Sequence, residues 1–138
     1  MLIINGKVFT MEGKPIENGY VRIKGKFIEE IGTMFVLENT KNEKILDVNG
    51  AWVMPGLIES HAHIGITEEK WGAIGDDSNE ATNPSTAALR AIDGINPMDP
   101  AFHDAIQAGI TSVMAGPGSA NVVGGQFAFV KTKGRRID

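Results

Sequence analysis

The stretch Pro55-Gly56-Leu57-Ile58-Glu59-Ser60-His61-Ala62-His63 decides how the rest of the chain is read. Pro55-Gly56 breaks the chain, and Leu57 to His61 then reads as a strand running into His63. Side chains on a strand alternate between faces, so His61 and His63 point the same way and their imidazoles converge on one point. That point lies at the C-terminal end of the strand, where α/β folds place their sites. Imidazole suits zinc, iron, nickel and similar metals, which makes the pair a candidate metal site. Two ligands are half of a site, because no hydrolytic metal is held by two alone. A bare His-x-His is more often a histidine pair at a loop mouth with no metal, and the spacing alone does not separate the two.

Upstream, the first fifty residues read as short strands and turns. Leu2-Ile3-Ile4 is apolar, Asn5-Gly6 is a hairpin signal, and Lys7 to Thr10 follows as a second strand. Asn18-Gly19 is expected to end a loop. Val21 and Ile23 then alternate with Arg22 and Lys24, Gly25 turns the chain, and Phe27 through Ile31 returns. Lys44 to Val48 is a further strand closed by Asn49-Gly50. These strands carry few large apolar residues, so the small sheet needs another surface to cover it. Downstream, Gly65 to Pro97 is a long polar stretch with one short helix expected over Thr86 to Ala91. A clear helix follows: Asp99 caps it, Pro100 takes the first position, Phe102, Ala105 and Ile106 form its apolar face, and Gly109 ends it. Ile110 to Met114 reads as a buried strand, and Ala115 to Gly125 as a loop. Strand, long loop, helix, strand is the rhythm of an α/β protein with parallel strands.

Composition narrows the class. The chain has 138 residues, 42% of them hydrophobic, with 13 basic and 17 acidic side chains. The net charge of −4 offers no electrostatic reason for nucleic acid or an acidic membrane as partner. No apolar run approaches the roughly 18 residues of a membrane span. The first residues lack the charged and apolar regions of a signal peptide, so a cytoplasmic protein is expected. Without cysteine there is no disulfide, thiolate nucleophile or cysteine-bound zinc. The Gly-rich segment 116–125 lacks the Gly-Lys-Ser/Thr of a phosphate loop. His103, beside Phe102 on the helix, reads as a solvent or packing residue. Lys131, Lys133, Arg135 and Arg136 read as a solvated basic tail.

Taken together, a Gly-rich β segment followed by Pro55-Gly56-Leu57-Ile58-Glu59-Ser60-His61-Ala62-His63 resembles the amidohydrolase superfamily of metal-dependent hydrolases. Members typically open with a small β-sandwich and continue with a Pro-Gly-apolar-Ile-Asp-x-His-x-His strand, the first of a (β/α)₈ TIM barrel. The segments Asn79-Glu80 to Pro97, with Arg90-Ala91-Ile92-Asp93, and Gly116-Pro117-Gly118-Ser119-Ala120-Asn121 with Gly124-Gly125-Gln126 resemble the branch akin to imidazolonepropionases. Glu59 stands where the family usually has Asp, which leaves the histidine pair intact and bears on the packing around it.

The resemblance implies an N-terminal piece of a β-sandwich over residues 1–54 and the first βα units of a partial TIM barrel over 55–138. It implies that His61 and His63 bind a divalent metal, most readily zinc, in a centre of one or two ions. The metal-acidified water would then attack an amide, cyclic amide or amidine carbon. Glu80, Arg90 and Asn121 are the candidate substrate contacts, with the loop 116–125 lining the pocket. The remaining ligands and the base, a lysine, two histidines and an aspartate, come from later strands in this family. Residues 56–138 fall well short of the roughly 200 or more that a barrel takes. The chain is therefore expected to be the N-terminal part of a larger enzyme, inactive alone, that self-associates or joins the remainder through exposed edges. The contrasting expectation is a non-catalytic oligomerising or metal-binding domain.

Overall fold

A computed structural model describes residues 1–136, and contacts divide the chain into two units, Met1–Pro55 and the part from Gly56 onward. The first unit is built on one mixed sheet. Strand β1 (Leu2–Val8) lies between β2 (Ile16–Lys24) and β4 (Ile45–Asp47), β3 (Phe27–Thr33) flanks β2, and β5 (Trp52–Val53) also pairs with β1. The first three strands form an antiparallel meander, whereas β4 and β5 run parallel to β1. Leu2, Val8, Tyr20 and Val21 are its buried apolar residues. Arg22 ties the layer together: it pairs with Glu30 on β3 and Glu43 and donates to the Glu38 carbonyl.

Two of the expected turns are absent. Strand β1 runs straight through Asn5-Gly6, with Asn5 at φ 57° and a shift of register between Ile3 and Gly6. The pair is thus a bulge inside one strand, not a hairpin between two. Asn18-Gly19 likewise lies inside β2, where Gly19 stands opposite Gly6. Both glycines are needed for close approach, since a Cβ at Gly6 would lie 2.7 Å from Val53 and one at Gly19 2.8 Å from Val8. The physical reason is that β1 is paired on both edges, and that ladder outweighs a local turn preference. The turns at Gly25 and at Asn49-Gly50, both glycines having positive φ, fall where expected.

The second unit holds a three-stranded sheet in the order β6 (Leu57–Ala62), β7 (Ile110–Ala115), β8 (Ala128–Lys131). β6 and β7 are parallel, joined through helix α2 (Pro100–Gln107), as the α/β rhythm predicts. β8 is antiparallel to β7, a departure from an all-parallel barrel, while Lys131, Lys133, Arg135 and Arg136 are exposed as expected. Lys131 ends the strand, and Thr132 is buried, its hydroxyl donating to the Ile110 carbonyl at 2.8 Å. The helix expected over Thr86 to Ala91 is replaced by a turn followed by the single-turn helix α1 (Ala91–Gly94). Its backbone groups are drawn elsewhere: Thr86 N–H donates to the Val123 carbonyl, Gln126 N–H to Leu89 and Ala91 N–H to Gln126, at 2.8 to 2.9 Å. The long polar stretch is therefore laid along the loop after β7.

The core of this unit joins Ile66, Ala91, Ile95 and Phe102 to Val113, Ala115 and Val130, with Ala62 and Ala128 packed against it. α2 begins as expected. Buried Asp99 accepts from Ala101 N–H at 3.1 Å with one carboxylate oxygen and from Gly65 N–H at 3.0 Å with the other. One side chain thus caps the helix and anchors the start of the long connection. His103 is exposed on α2, as its neighbours suggested. Large apolar side chains are also exposed in each unit: Phe35, Phe27 and Trp52 in the first, Ile74, Val122 and Ile58 in the second.

Removing the Asp99 carboxylate deletes a cap and strands a buried N–H. Asp99→Ala is expected to destabilise the second unit by about 2–4 kcal/mol, read as a lower denaturation midpoint at unchanged slope; a loss below about 0.5 kcal/mol would contradict the double anchoring.

Candidate active site

Packing decides where the histidines point. Ala62 turns toward the α2 side of the sheet and packs on the core. Away from it, the rings of its neighbours His61 and His63 meet edge to face, centroids 5.2 Å apart and planes at 88°. β6 pairs only with β7 among the described residues, and the Glu59 carboxylate accepts from the His61 backbone N–H at 3.0 Å. Glu59 thus satisfies a donor on the unpaired edge of the strand.

Each ring has its own support. His63 Nδ1 lies 2.7 Å from the Gly116 carbonyl oxygen. A carbonyl only accepts, so Nδ1 carries the proton and the Nε2 lone pair is left for a ligand. The His61 ring packs on Phe127, centroids 5.3 Å apart. This donor chemistry fits two ligands of a zinc-type centre. A third is not gathered here: no group of three or more His, Cys, Asp or Glu is placed to hold a metal among the described residues.

Beside the pair, the loops at the C-terminal end of the sheet enclose a cavity of about 440 Å³. Asp76, Ser78, Glu80, Arg90, Pro117 and Gly124 are among its walls, and the histidines are not. Asp76 accepts from Ser78 hydroxyl and N–H and from the Thr67 hydroxyl at 3.3 Å. The Ser78 hydroxyl, then the Ser78 N–H, hold its carboxyl below the usual range against the upward pull of burial, with a smaller lowering by the Thr67 hydroxyl. The site therefore has two halves, a pair of imidazoles and a walled cavity rimmed by carboxylates.

Comparison with known proteins bears on the family. No family model matches the chain. An amidohydrolase from Thermotoga maritima MSB8 superposes with a TM-score of 0.89 and 38% identity, covering 99% of this chain and 34% of that one. Amidohydrolase tasK of Hapsidospora irregularis is 36% identical over 87 residues, 63% of this chain and 9% of its own length. A 5-methylthioadenosine/S-adenosylhomocysteine deaminase of Bacillus thuringiensis is 29% identical over 76 residues, 54% of this chain and 17% of its own. The homologues and structural neighbours named here are amidohydrolases and a deaminase. The chain spans about a third or less of the length of these relatives.

The three expected substrate contacts are all engaged within the chain. Glu80 accepts from Thr82 N–H and hydroxyl, both at 2.8 Å, and these donors, the N–H first, lower its carboxyl pKa. Arg90 forms a two-pronged pair with Asp93 at 2.8 and 2.7 Å. Asn121 bridges loops: its oxygen accepts from Glu80 N–H at 3.0 Å and its nitrogen donates to the Glu80 carbonyl at 2.7 Å. Glu80 and Arg90 line the cavity, whereas Asn121 does not.

Four contributors were not anticipated. Asn79 accepts from Ala120 N–H at 2.9 Å and fastens the same two loops. Asp76 and Ser78 form a side-chain turn whose signal is an acid two residues before a serine. Phe127 reaches His61 only because β8 exists.

The depressed Asp76 group sets a sign. Its contribution to stability is present above the unfolded carboxyl pKa and is lost as pH falls through the lower folded value. In an NMR titration Asp76 is expected to titrate below an ordinary aspartate, and Ser78→Ala to move its midpoint upward; an unchanged midpoint in the variant would contradict the assignment.

Proposed function

We propose that this chain supplies the first two metal ligands, His61 and His63, of a metal-dependent amidohydrolase that cleaves C–N bonds of amides, cyclic amides or related amidines. The observation that carries this is the His63 Nδ1 contact to Gly116 O at 2.7 Å, which leaves Nε2 free beside a second imidazole on the same face. When bound, the metal would acidify a water at neutral pH. The protein's own part is to hold both rings on one face of the sheet, with Glu59 bound to the His61 backbone. The adjoining cavity takes a small-molecule substrate, with Glu80 and Arg90 on its wall and Asn121 fixing the loop that bears Glu80.

The parallel unit β6–α2–β7 is read as the first βα unit of a TIM barrel, and the β1–β5 sheet as part of a β-sandwich. The activity belongs to a longer chain, with further ligands and the base supplied from outside these residues, and the present chain is inactive alone. Exposed Phe27, Trp52 and Ile58 support association with that remainder or with a second copy. An imidazolonepropionase-like branch, zinc and a cytoplasmic setting complete the reading. Neither nucleic acid nor membrane is a partner in it, and among the described residues no helix is long and apolar enough to cross a membrane. The amidohydrolase relatives favour it over a non-catalytic module.

In the longer enzyme, His61→Ala and His63→Ala are each expected to lower bound zinc and turnover together, by more than the roughly 10–100-fold that loss of an outer partner costs. Metal analysis beside initial rates checks this; unchanged zinc stoichiometry and turnover in both variants would refute it.

A further inference from the structure

One residue touches the support of both imidazoles. Gly116 follows β7 directly, and its N–H donates to the Ala62 carbonyl at 3.0 Å, extending the β6–β7 ladder to the residue between the histidines. Its carbonyl oxygen accepts from His63 Nδ1 at 2.7 Å. Its missing side chain matters as much, because a Cβ there would lie 2.3 Å from the Phe127 ring, against about 3.5–4.0 Å for carbon atoms in comfortable contact. β8 explains the approach. Ala115 pairs with Ala128 in an antiparallel ladder, and the next step along it sets Phe127 across from Gly116. The ring that fills the glycine's space packs on His61 at 5.3 Å between centroids.

We infer that Gly116 and Phe127 are a positioning pair that fixes the orientation of both histidines before any metal arrives, Gly116 setting the tautomer and ring rotation of His63 and Phe127 confining the side chain of His61. An imidazole on the open face of a sheet can occupy several staggered rotamers, and a ligand pair has to be held in one. A hydrogen bond to a backbone carbonyl selects the Nδ1–H form and a single ring plane for His63. The His61 ring makes no hydrogen bond among the described residues and is held instead by an aromatic face. The two supports are coupled: a side chain at 116 displaces the Phe127 ring, and with it the contact to His61. An aromatic ring across from a glycine also serves plain sheet packing, so the test must read orientation and not only stability. The inference rests on the proposed function for its purpose, since ligation is what a fixed pair would serve.

The experiment uses the full chain, labelled with ¹⁵N and ¹³C at histidine and free of metal, at a pH where imidazoles are neutral. Long-range ¹H–¹⁵N correlations report the tautomer of His63, and three-bond couplings report whether His61 holds one χ1 rotamer. The wild type is expected to show His63 protonated at Nδ1 and one His61 rotamer. Phe127→Leu, which keeps apolar bulk, is expected to leave the His63 tautomer intact and average the His61 rotamers, while Phe127→Tyr preserves both signatures. Gly116→Ala is expected to lose both, and Gly116→Ala combined with Phe127→Ala to recover the His63 tautomer alone. If Gly116→Ala does not fold, the double variant and the two Phe127 variants decide the outcome.

Zinc titration of the longer enzyme carrying the same substitutions separates this inference from the reading beneath it. Weakening of about 10-fold in Phe127→Leu and 10–100-fold in Gly116→Ala is expected. Wild-type signatures in Gly116→Ala, or a single His61 rotamer in Phe127→Leu, would overturn the positioning pair. A longer enzyme that takes up no zinc, while the wild-type chain shows both signatures, would count against the metal reading and leave the positioning pair standing.

Discussion

Everything at the candidate site follows from the side to which Ala62 turns. A strand has two faces, and α2 covers only one of them, where Phe102 meets Val113, Ala115 and Val130. Ala62 packs on that covered face, and the rings of its neighbours His61 and His63 meet each other away from it, centroids 5.2 Å apart. A slip of β6 by one residue would bury both imidazoles against Phe102 and turn Ala62 outward, which the cost of burying unpaired polar rings forbids. The parallel neighbour β7 then ends level with β6, since Ala62 pairs with Ala115. That alignment brings the Gly116 carbonyl to His63. Core packing and site geometry are consequences of one register.

These elements were legible in the sequence, and what was not legible depended on distant partners. The Asp99-Pro100 start of α2 and its end at Gly109 rest on local rules of capping, and the chain obeys them; β6 forms over Leu57–Ala62 as expected, with shifts of register against β7. The Val21 to Ile31 hairpin, closed at Gly25, was local in the same way. Asn5-Gly6 shows where such rules stop. Its dihedral preference survives, with Asn5 at φ 57°, yet β1 is paired on two sides and the preference is spent on a bulge. Thr86 to Ala91 has helical composition, but its backbone partners lie some 37 residues away on the second loop. β8 was hidden because Ala128 to Lys131 is short, and its pairing with β7 gives no local sign. With β8 went Phe127, and with Phe127 the support of His61.

The histidine pair and the cavity are neighbours with different degrees of order. The imidazoles are set by strand register and backbone contacts. The cavity is set by side chains that lace two loops, chiefly Asn79 and Asn121, each of which reaches about 41 residues along the chain. Loops held by a few amide bridges open more readily than a ladder does. The division suits a site in which a metal must be held still and a substrate must enter.

That lacing also ranks the cavity's polar residues as ligand contacts. Every hydrogen bond a substrate makes to Glu80, Arg90 or Asn121 displaces one already made within the chain, so the gain is a difference between similar terms. For Asn121 the exchange would cut both bonds to Glu80 and open the loop, which makes it a poor donor to any ligand. For Glu80 the exchange costs two short local bonds to Thr82. Arg90 is different: its partner Asp93 is 58% exposed and the pair sits at the surface, where such pairs contribute little and water readily replaces one partner. Arg90 is therefore the wall residue that can turn from the chain to an anionic or carbonyl-bearing substrate at least cost, while Glu80 and Asn121 serve by keeping the wall in place.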